Sequence, residues 1–249
     1  MKELFQRIWS LWFGFWLVSY FLVLLPVYGL VLWRVTPARA RLAHQLNKWW
    51  GRFLLFLGGI RVRVPVSYAL PSQPCILVAN HRSYLDIPVC YVILPPRVAF
   101  VGKAELARIP LFGWMYRRLH IVLRRDSLRE RVHTLRAVRT KLQAGFHVLI
   151  YPEGTTRHVR PLGPFHEGAF ALAVELGVPL VPFVIVGSDL CLSADGRFLM
   201  RPGEVRCYFH PPIDPAGHTV QTLKEAVYNW MYETLVAYEH NRVPAGRPV

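Results

Sequence analysis

The 249-residue sequence is poor in acidic side chains and in cysteine. It has 15 Asp and Glu against 30 Lys and Arg, a formal net charge of +15, and four Cys. Cys75, Cys90, Cys191 and Cys207 lie far apart, without zinc-site spacing, so we expect small buried thiols of a reduced compartment and no metal site. Because 53% of the residues are hydrophobic, a disordered basic chain is excluded.

The excess positive charge is confined to the first 141 residues. Residues 1–54 carry a net charge of +6, residues 55–96 of +2, residues 97–141 of +9 and residues 142–249 of −2. A basic surface can bind nucleic acid, an anionic membrane or an acidic partner. No nucleic-acid-binding module is recognisable, so we predict membrane lipids as partners and no nucleic acid.

A long apolar segment stands near the N-terminus. Ile8 to Trp33 contain 26 residues without a charged side chain, enough at about 1.5 Å per residue to cross a hydrocarbon layer of ~30 Å. Pro26 leaves two forms open, one kinked span or two short helices that enter and leave one leaflet. The run exceeds the roughly 7–15 apolar residues of a cleaved signal peptide. More cations follow the segment than precede it, which predicts the cytoplasmic face of a membrane, expected to be a bacterial inner membrane.

The next segment, residues 38–57, has the apolar spacing of an amphipathic helix. Its apolar positions are Leu42, Leu46, Trp49, Trp50, Phe53 and Leu57, with cations largely between them. A helix lying in the headgroup layer and an ordinary surface helix packed on the core are both compatible with this pattern. We therefore predict a membrane segment with an interfacial helix over residues 1–54 and a second domain over residues 55–249.

Beyond Arg63, short β-rich runs alternate with helix-like segments, which predicts an α/β fold with a mixed, largely parallel sheet flanked by helices. The predicted strands are Cys75–Ala79, Val98–Val101, His120–Leu123, Val148–Tyr151, Leu180–Val186 and Val205–Phe209. A helix is predicted between the capping box at Ser127–Glu130 and Gly145.

A histidine and an aspartate follow the first of these strands. His81 and Asp86 stand where the chain leaves the sheet, at the edge that carries active sites in open α/β folds. A neutral imidazole can take a proton from an alcohol, and a carboxylate on its other nitrogen fixes the tautomer. Five residues on a helix span about 140°, so the two side chains can meet only if His81 precedes the helix.

A second polar string, Tyr151–Arg157, also stands at a strand end. It combines Glu153, Gly154, Thr155 and Arg157, and such a loop offers backbone N–H groups and a cation to an anionic ligand. Lys103 adds a cation at the end of a further strand.

Four strings in this order resemble those of the glycerolipid acyltransferase family, which includes the 1-acylglycerol-3-phosphate acyltransferases. They are Asn80–Asp86, Gly113 with Arg125, Pro152–Thr155 and Val178–Pro182, within a resemblance that runs from about Leu57 to Pro212. Two strings depart from the usual pattern. In the second string, Arg124 stands where the family usually has Asp, and the glycine that normally precedes the strand is absent, with His120 nearby. In the third string, Thr156 stands where many members have Arg, and the Arg comes one residue later, at Arg157.

The resemblance implies an enzyme that moves a fatty acyl group from a thioester to a lipid hydroxyl, with His81 as base and Asp86 as its partner. It implies an acceptor site made of Lys103, Arg125, Glu153, Gly154, Thr155 and Arg157, with no cofactor and no metal. The expected acceptor is 1-acylglycerol-3-phosphate, giving phosphatidic acid, with lyso-ornithine lipid or another lysolipid as the alternative. The donor is acyl-CoA or acyl-carrier protein. A lipase or thioesterase is disfavoured because Ser188 lies outside any Gly-x-Ser-x-Gly elbow.

Overall fold

The computed structural model describes residues 2–66, 68–123, 128–156, 161–193 and 197–239. Seven strands form one sheet in the order β1-β7-β6-β2-β5-β3-β4, in which β6 and β7 are antiparallel and all other neighbours are parallel. The strands are β1 (Ile60–Arg63), β2 (Ile76–Ala79), β3 (Val98–Lys103), β4 (Ile121–Leu123), β5 (His147–Ile150), β6 (Leu180–Val186) and β7 (Gly203–Phe209). The predicted mixed, largely parallel sheet is confirmed.

Eight α-helices and one 3-10 helix surround the sheet in the described part of the chain. They are α1 (Lys2–Leu32), α2 (Pro37–Leu57), α3 (Asp86–Ile93), the 3-10 helix (Ala104–Arg108), α4 (Phe112–Leu119), α5 (Leu128–Gln143), α6 (Gly168–Leu176), α7 (Ser188–Cys191) and α8 (Val220–Glu239). Gly145 has φ +82°, a conformation suited to glycine, just beyond the end of α5 as predicted.

The central strands are apolar because both faces of the sheet are covered. Every residue of β2, β5 and β6 is buried, and one face packs against α2 and α3 while the other packs against α5, α6 and α8. All six predicted strands are present. β1 was not predicted, because its Ile-Arg-Val-Arg sequence is only four residues long and lies before the point where the predicted strands begin.

Helix α1 is one continuous helix through Pro26, and it is long and apolar enough to cross a membrane. Its outward surface is apolar, with Leu4, Ile8, Leu11, Phe15, Val23 and Leu30 among the exposed side chains. So large an apolar surface indicates contact with lipid. At the other side, the Met200 N–H donates to Ser10 Oγ (2.8 Å) and Arg118 Nε donates to the Leu32 carbonyl (3.2 Å), so α1 is attached near both of its ends.

Helix α2 starts where the sequence directs it, since Thr36 Oγ1 accepts the Arg39 N–H and Pro37 is the first helical residue. One face, including Ala43, Asn47 and Gly51, is buried against α1 and α3. The opposite face exposes Leu42, Trp49 and Phe56 at seven-residue spacing. The helix thus packs on the core on one side and presents an apolar stripe on the other. The predicted domain boundary at residue 54 falls inside α2, and the division into two domains stays a prediction.

Gly113 lies where α4 passes very close to the 3-10 helix. A Cβ on Gly113 would lie 2.2 Å from the Ala107 carbonyl oxygen, far inside van der Waals contact. Only glycine fits this backbone crossing, which explains the presence of Gly113 in the second string.

Candidate active site

The two polar loops meet at the carboxyl edge of the sheet because β2 and β5 are neighbours. Asn80, the first residue after β2, bridges to β6: its Oδ1 accepts the Ile185 N–H (2.7 Å) and its Nδ2 donates to the Ile185 carbonyl (2.9 Å). This amide is buried and takes the place of a further pair of strand hydrogen bonds. It therefore sets the direction in which the next residue, His81, leaves the sheet.

His81 lies in the turn before α3, and Asp86 is the first residue of that helix. His81 Nδ1 and Asp86 Oδ2 are 2.8 Å apart. The spacing in the sequence required His81 to precede the helix, and the structure places it there. The Asp86 side chain is fully buried, whereas the His81 side chain is 16% exposed, so only the imidazole of the pair is open to a substrate.

Asp86 fixes the tautomer of His81. Its Oδ2 also accepts the backbone N–H groups of Arg82 (2.8 Å) and Ser83 (3.0 Å), so three donors converge on one oxygen. A carboxylate oxygen that accepts these bonds requires the proton of the neutral imidazole to be on Nδ1. The lone pair is then on Nε2, which is the nitrogen able to act as a base.

Tyr151 stacks on the imidazole. The ring centroids of His81 and Tyr151 are 4.1 Å apart with an interplanar angle of 18°. The Tyr151 hydroxyl lies 3.4 Å from Cys90 Sγ, and burial raises the pKa of both groups well above their usual values, so both stay neutral. An aromatic face against the ring restrains the orientation of the imidazole.

Glu153 is buried and connects the two loops. Its Oε1 accepts the His81 backbone N–H (2.9 Å), and its Oε2 accepts the Gly163 N–H (2.8 Å). The carboxylate thus joins the loop after β2 to residues that follow β5. Its contact with this site is to the backbone of His81.

The other predicted acceptor residues have different positions. Gly154 has φ +68°, and its N–H donates to the Tyr151 carbonyl (3.1 Å), so glycine is needed in this turn. Thr155 follows it and is half-buried, and Lys103 is exposed at the end of β3, two strands from β2. Arg125 and Arg157 lie outside the described residues.

Three residues contribute more to the site than the sequence indicated. Asn80 and Tyr151 were part of the strings but had no assigned role, and Gly163 was not singled out. Their partners are distant in the chain, at Ile185, His81 and Glu153 respectively. For Tyr151, the sequence offered one signal, which is its position at the carboxyl end of a predicted strand. Neighbouring parallel strands bring their carboxyl ends together, so a residue there can reach the loop after another strand.

All four cysteines are buried thiols, and no cluster of three or more His, Cys, Asp or Glu suited to a metal occurs in the described ranges. Burial raises the pKa of Cys75 to about 12. The cysteines therefore behave as small core residues.

The chain belongs to the acyltransferase family, whose model matches residues 61–186. This match covers the sheet from β1 to the end of β6 and includes His81, Asp86 and Glu153.

Several proteins are similar to this chain over long stretches. A chloroplastic 1-acyl-sn-glycerol-3-phosphate acyltransferase of Brassica napus is 35% identical over 147 residues, covering 58% of this chain and 42% of that protein. The lyso-ornithine lipid O-acyltransferase of Pseudomonas aeruginosa is 34% identical over 199 residues, 74% of each chain. This chain thus spans less than half the length of the plant protein but about three quarters of the bacterial one.

A solved structure has the same architecture. The crystal structure of the 1-acyl-sn-glycerophosphate acyltransferase PlsC from Thermotoga maritima has a TM-score of 0.80 with 27% sequence identity, covering 96% of this chain and 98% of that one. The similarity extends over nearly the full length and so includes the α1 and α2 region.

Proposed function

We propose that this protein transfers a fatty acyl group from a pantetheine thioester to the free hydroxyl of a lysolipid. The observation that carries the proposal is the His81–Asp86 pair, 2.8 Å apart at the carboxyl edge of the sheet. General-base catalysis needs a neutral imidazole whose second nitrogen is held by an acceptor, and this pair supplies that arrangement.

In the reaction, His81 Nε2 takes the proton of the acceptor hydroxyl as its oxygen attacks the thioester carbonyl. The tetrahedral intermediate collapses, the carbon–sulfur bond breaks, and the imidazolium returns its proton to the leaving sulfur. Asp86 stabilises the imidazolium through Nδ1. No covalent acyl-enzyme is needed, and water is a poor competitor because a positioned hydroxyl reacts at a high effective concentration.

The proposed acceptor is 1-acylglycerol-3-phosphate, which would yield phosphatidic acid. Lys103, Arg125 and Arg157 would bind its phosphate, with Glu153, Gly154 and Thr155 forming the loop beside it. Lyso-ornithine lipid is the second candidate, favoured by the similarity to the Pseudomonas protein over three quarters of each chain.

We place the protein at the cytoplasmic face of a membrane, expected to be a bacterial inner membrane. The apolar surface of α1 and the exposed stripe Leu42, Trp49 and Phe56 on α2 would contact lipid. Because α1 is attached near both ends to the rest of the chain, we favour a helix that lies in one leaflet over one that crosses both.

The test is an acyl-transfer assay of purified protein in mixed micelles with acyl-CoA and acyl-carrier protein as donors. Lysophosphatidic acid and lyso-ornithine lipid are supplied separately as acceptors. We expect transfer to lysophosphatidic acid, abolished by His81→Ala and retained by the control His218→Ala at a half-buried histidine before α8. Substantial turnover by His81→Ala overturns the mechanism, and transfer confined to lyso-ornithine lipid replaces the acceptor.

A further inference from the structure

A cationic cavity lies beside the open edge of the sheet, away from His81. It has a volume of about 620 Å³ and is bordered by the 3-10 helix, α4, β4 and α5. Its lining includes Arg108, Arg117, Arg118, Lys141 and His133, with Thr140 between them. No carboxylate is found among the described residues that line it.

The cations of this cavity are held by neutral groups. Arg117 donates to the Ala107 carbonyl, Arg118 donates to the Leu32 and Trp114 carbonyls, and Lys141 Nζ donates to the Leu119 carbonyl (3.0 Å). In the described part of the chain, the Arg108 side chain has no hydrogen-bond or ion-pair partner. The positive charges are therefore oriented by the backbone but not neutralised, which favours an anionic ligand.

The position of the cavity limits which anion it can serve. In the sheet order β2-β5-β3-β4, the edge strand β4 is three strands from β2, so the cavity is roughly 14 Å from His81 at about 4.8 Å per strand. Lys103, which is proposed to bind the acceptor phosphate, is not among the residues that line this cavity. The phosphates of coenzyme A are separated from the thioester by the whole pantetheine arm and can reach this far.

We propose that this cavity binds the phosphorylated nucleotide end of an acyl-CoA donor, an inference that rests on the proposed acyl-transfer function. The diphosphate and the ribose phosphate would lie against Arg108 and Arg117, since guanidinium groups bind phosphate bidentately, and Lys141 would add an ammonium group beside them. The volume falls within the range of about 300–1,000 Å³ that is usual for small-molecule sites. An acyl-carrier protein brings one phosphodiester on a large protein surface and would not fill such a cavity.

The experiment compares Arg108→Gln/Arg117→Gln with the matched control Arg136→Gln/Arg139→Gln. The control removes the same charge from exposed positions of α5 that do not line the cavity. We expect the cavity variant to raise the KM for acyl-CoA at least tenfold, with kcat, the KM for the lysolipid and the KM for acyl-carrier protein within twofold of wild type. Calorimetric titration with adenosine 3′,5′-bisphosphate should show binding to wild type and to the control, but not to the cavity variant.

Three results of the kinetic comparison overturn the assignment. They are an unchanged KM for acyl-CoA in the cavity variant, an increase in the KM for the lysolipid instead, and an equal effect in the control. Vesicle binding is a further test. If the cavity variant binds anionic phosphatidylglycerol vesicles more weakly while its KM for acyl-CoA stays at the wild-type value, the cavity belongs to lipid headgroups and the assignment to acyl-CoA is overturned. A wild-type protein that transfers no acyl group from any donor overturns the proposed function itself, and the calorimetric titration still reports on the nucleotide site.

Discussion

Replacing Asp86 by Asn separates the charge of the pair from its geometry. An amide oxygen at the position of Oδ2 can accept all three hydrogen bonds now made there, from His81 Nδ1 and from the N–H groups of Arg82 and Ser83. The amide NH₂ then occupies the position of Oδ1, which is buried and has no hydrogen-bond partner among the described residues. The loop can keep its shape while the imidazolium loses its counter-charge.

The size of the catalytic effect follows from the distance between the two charges. Two unit charges about 4 Å apart interact by roughly 4 kcal/mol at an effective dielectric constant of about 20. Because each 1.36 kcal/mol changes a rate tenfold, we expect Asp86→Asn to lower kcat by about 10³-fold. The unpaired buried NH₂ should cost about 1–3 kcal/mol of folding stability, a loss that a melting curve measures separately.

The assay is steady-state acyl transfer from labelled acyl-CoA in mixed micelles, with thermal unfolding of each variant followed by fluorescence. His81→Ala and Asp86→Ala serve as references, and the Asn variant should bind the acceptor with a KM near that of wild type. A folded Asp86→Asn variant that keeps more than a tenth of wild-type kcat would refute the reasoning, since the charge of Asp86 would then contribute little.

Two further predictions concern Tyr151 and His147. Tyr151→Leu should lower kcat about 3- to 10-fold, because a stacked aromatic ring contributes roughly 0.5–1.5 kcal/mol. Tyr151→Phe keeps the ring, so its kcat should stay within twofold of wild type. Equal losses of kcat in both variants would assign the effect to the hydroxyl. Burial, with a contribution from Arg97, lowers the pKa of His147 to about 4 from 6.5. The unfolded chain therefore binds the extra proton first, and stability present above pH 6.5 is lost as pH falls toward 4. His147→Gln should flatten the dependence of the urea midpoint on pH in this window, and parallel curves for the two proteins would contradict this assignment.

The sequence predicted the site best where its geometry depends on one strand and the loop that follows it. The apolar run before Asn80 predicted β2, and the five-residue spacing meant that His81 and Asp86 could meet only if His81 preceded the helix, as it does. These features depend on local geometry: a strand that leaves the sheet edge and a helix that begins a few residues later.

Long-range contacts were beyond the sequence. Glu153 was expected to bind the acceptor headgroup, and its carboxylate accepts the N–H groups of His81 and Gly163, residues 72 and 10 positions away. Nothing in the string Pro152–Thr155 identifies those partners. The burial of one face of α2 was likewise undecided, because the same apolar spacing fits a lipid surface and a protein core.

His120, where the sequence departs from the family pattern, takes part in a chain of hydrogen bonds that joins α1 to α3. The Phe100 N–H donates to His120 Nδ1 (3.2 Å), so the other imidazole nitrogen, Nε2, carries the proton and donates to the Tyr91 hydroxyl (2.8 Å). The same hydroxyl accepts from Asn47 Nδ2 (3.0 Å), and Asn47 Oδ1 accepts from the Tyr28 hydroxyl (2.6 Å). Burial lowers the pKa of His120 well below its usual value, consistent with this neutral tautomer.

This chain of hydrogen bonds connects four elements: α1 through Tyr28, α2 through Asn47, α3 through Tyr91 and the start of β4 through His120. Because Tyr91 is on the helix that begins at Asp86, this buried network joins the apolar helix α1 to the helix that carries the partner of His81. A buried polar group without its partner is costly, so α1 is stabilised in one position against α3 rather than in several. In the proposed function, a fixed position of α1 would set the depth at which His81 meets the lipid surface, and a lysolipid hydroxyl would then reach the base without leaving the bilayer.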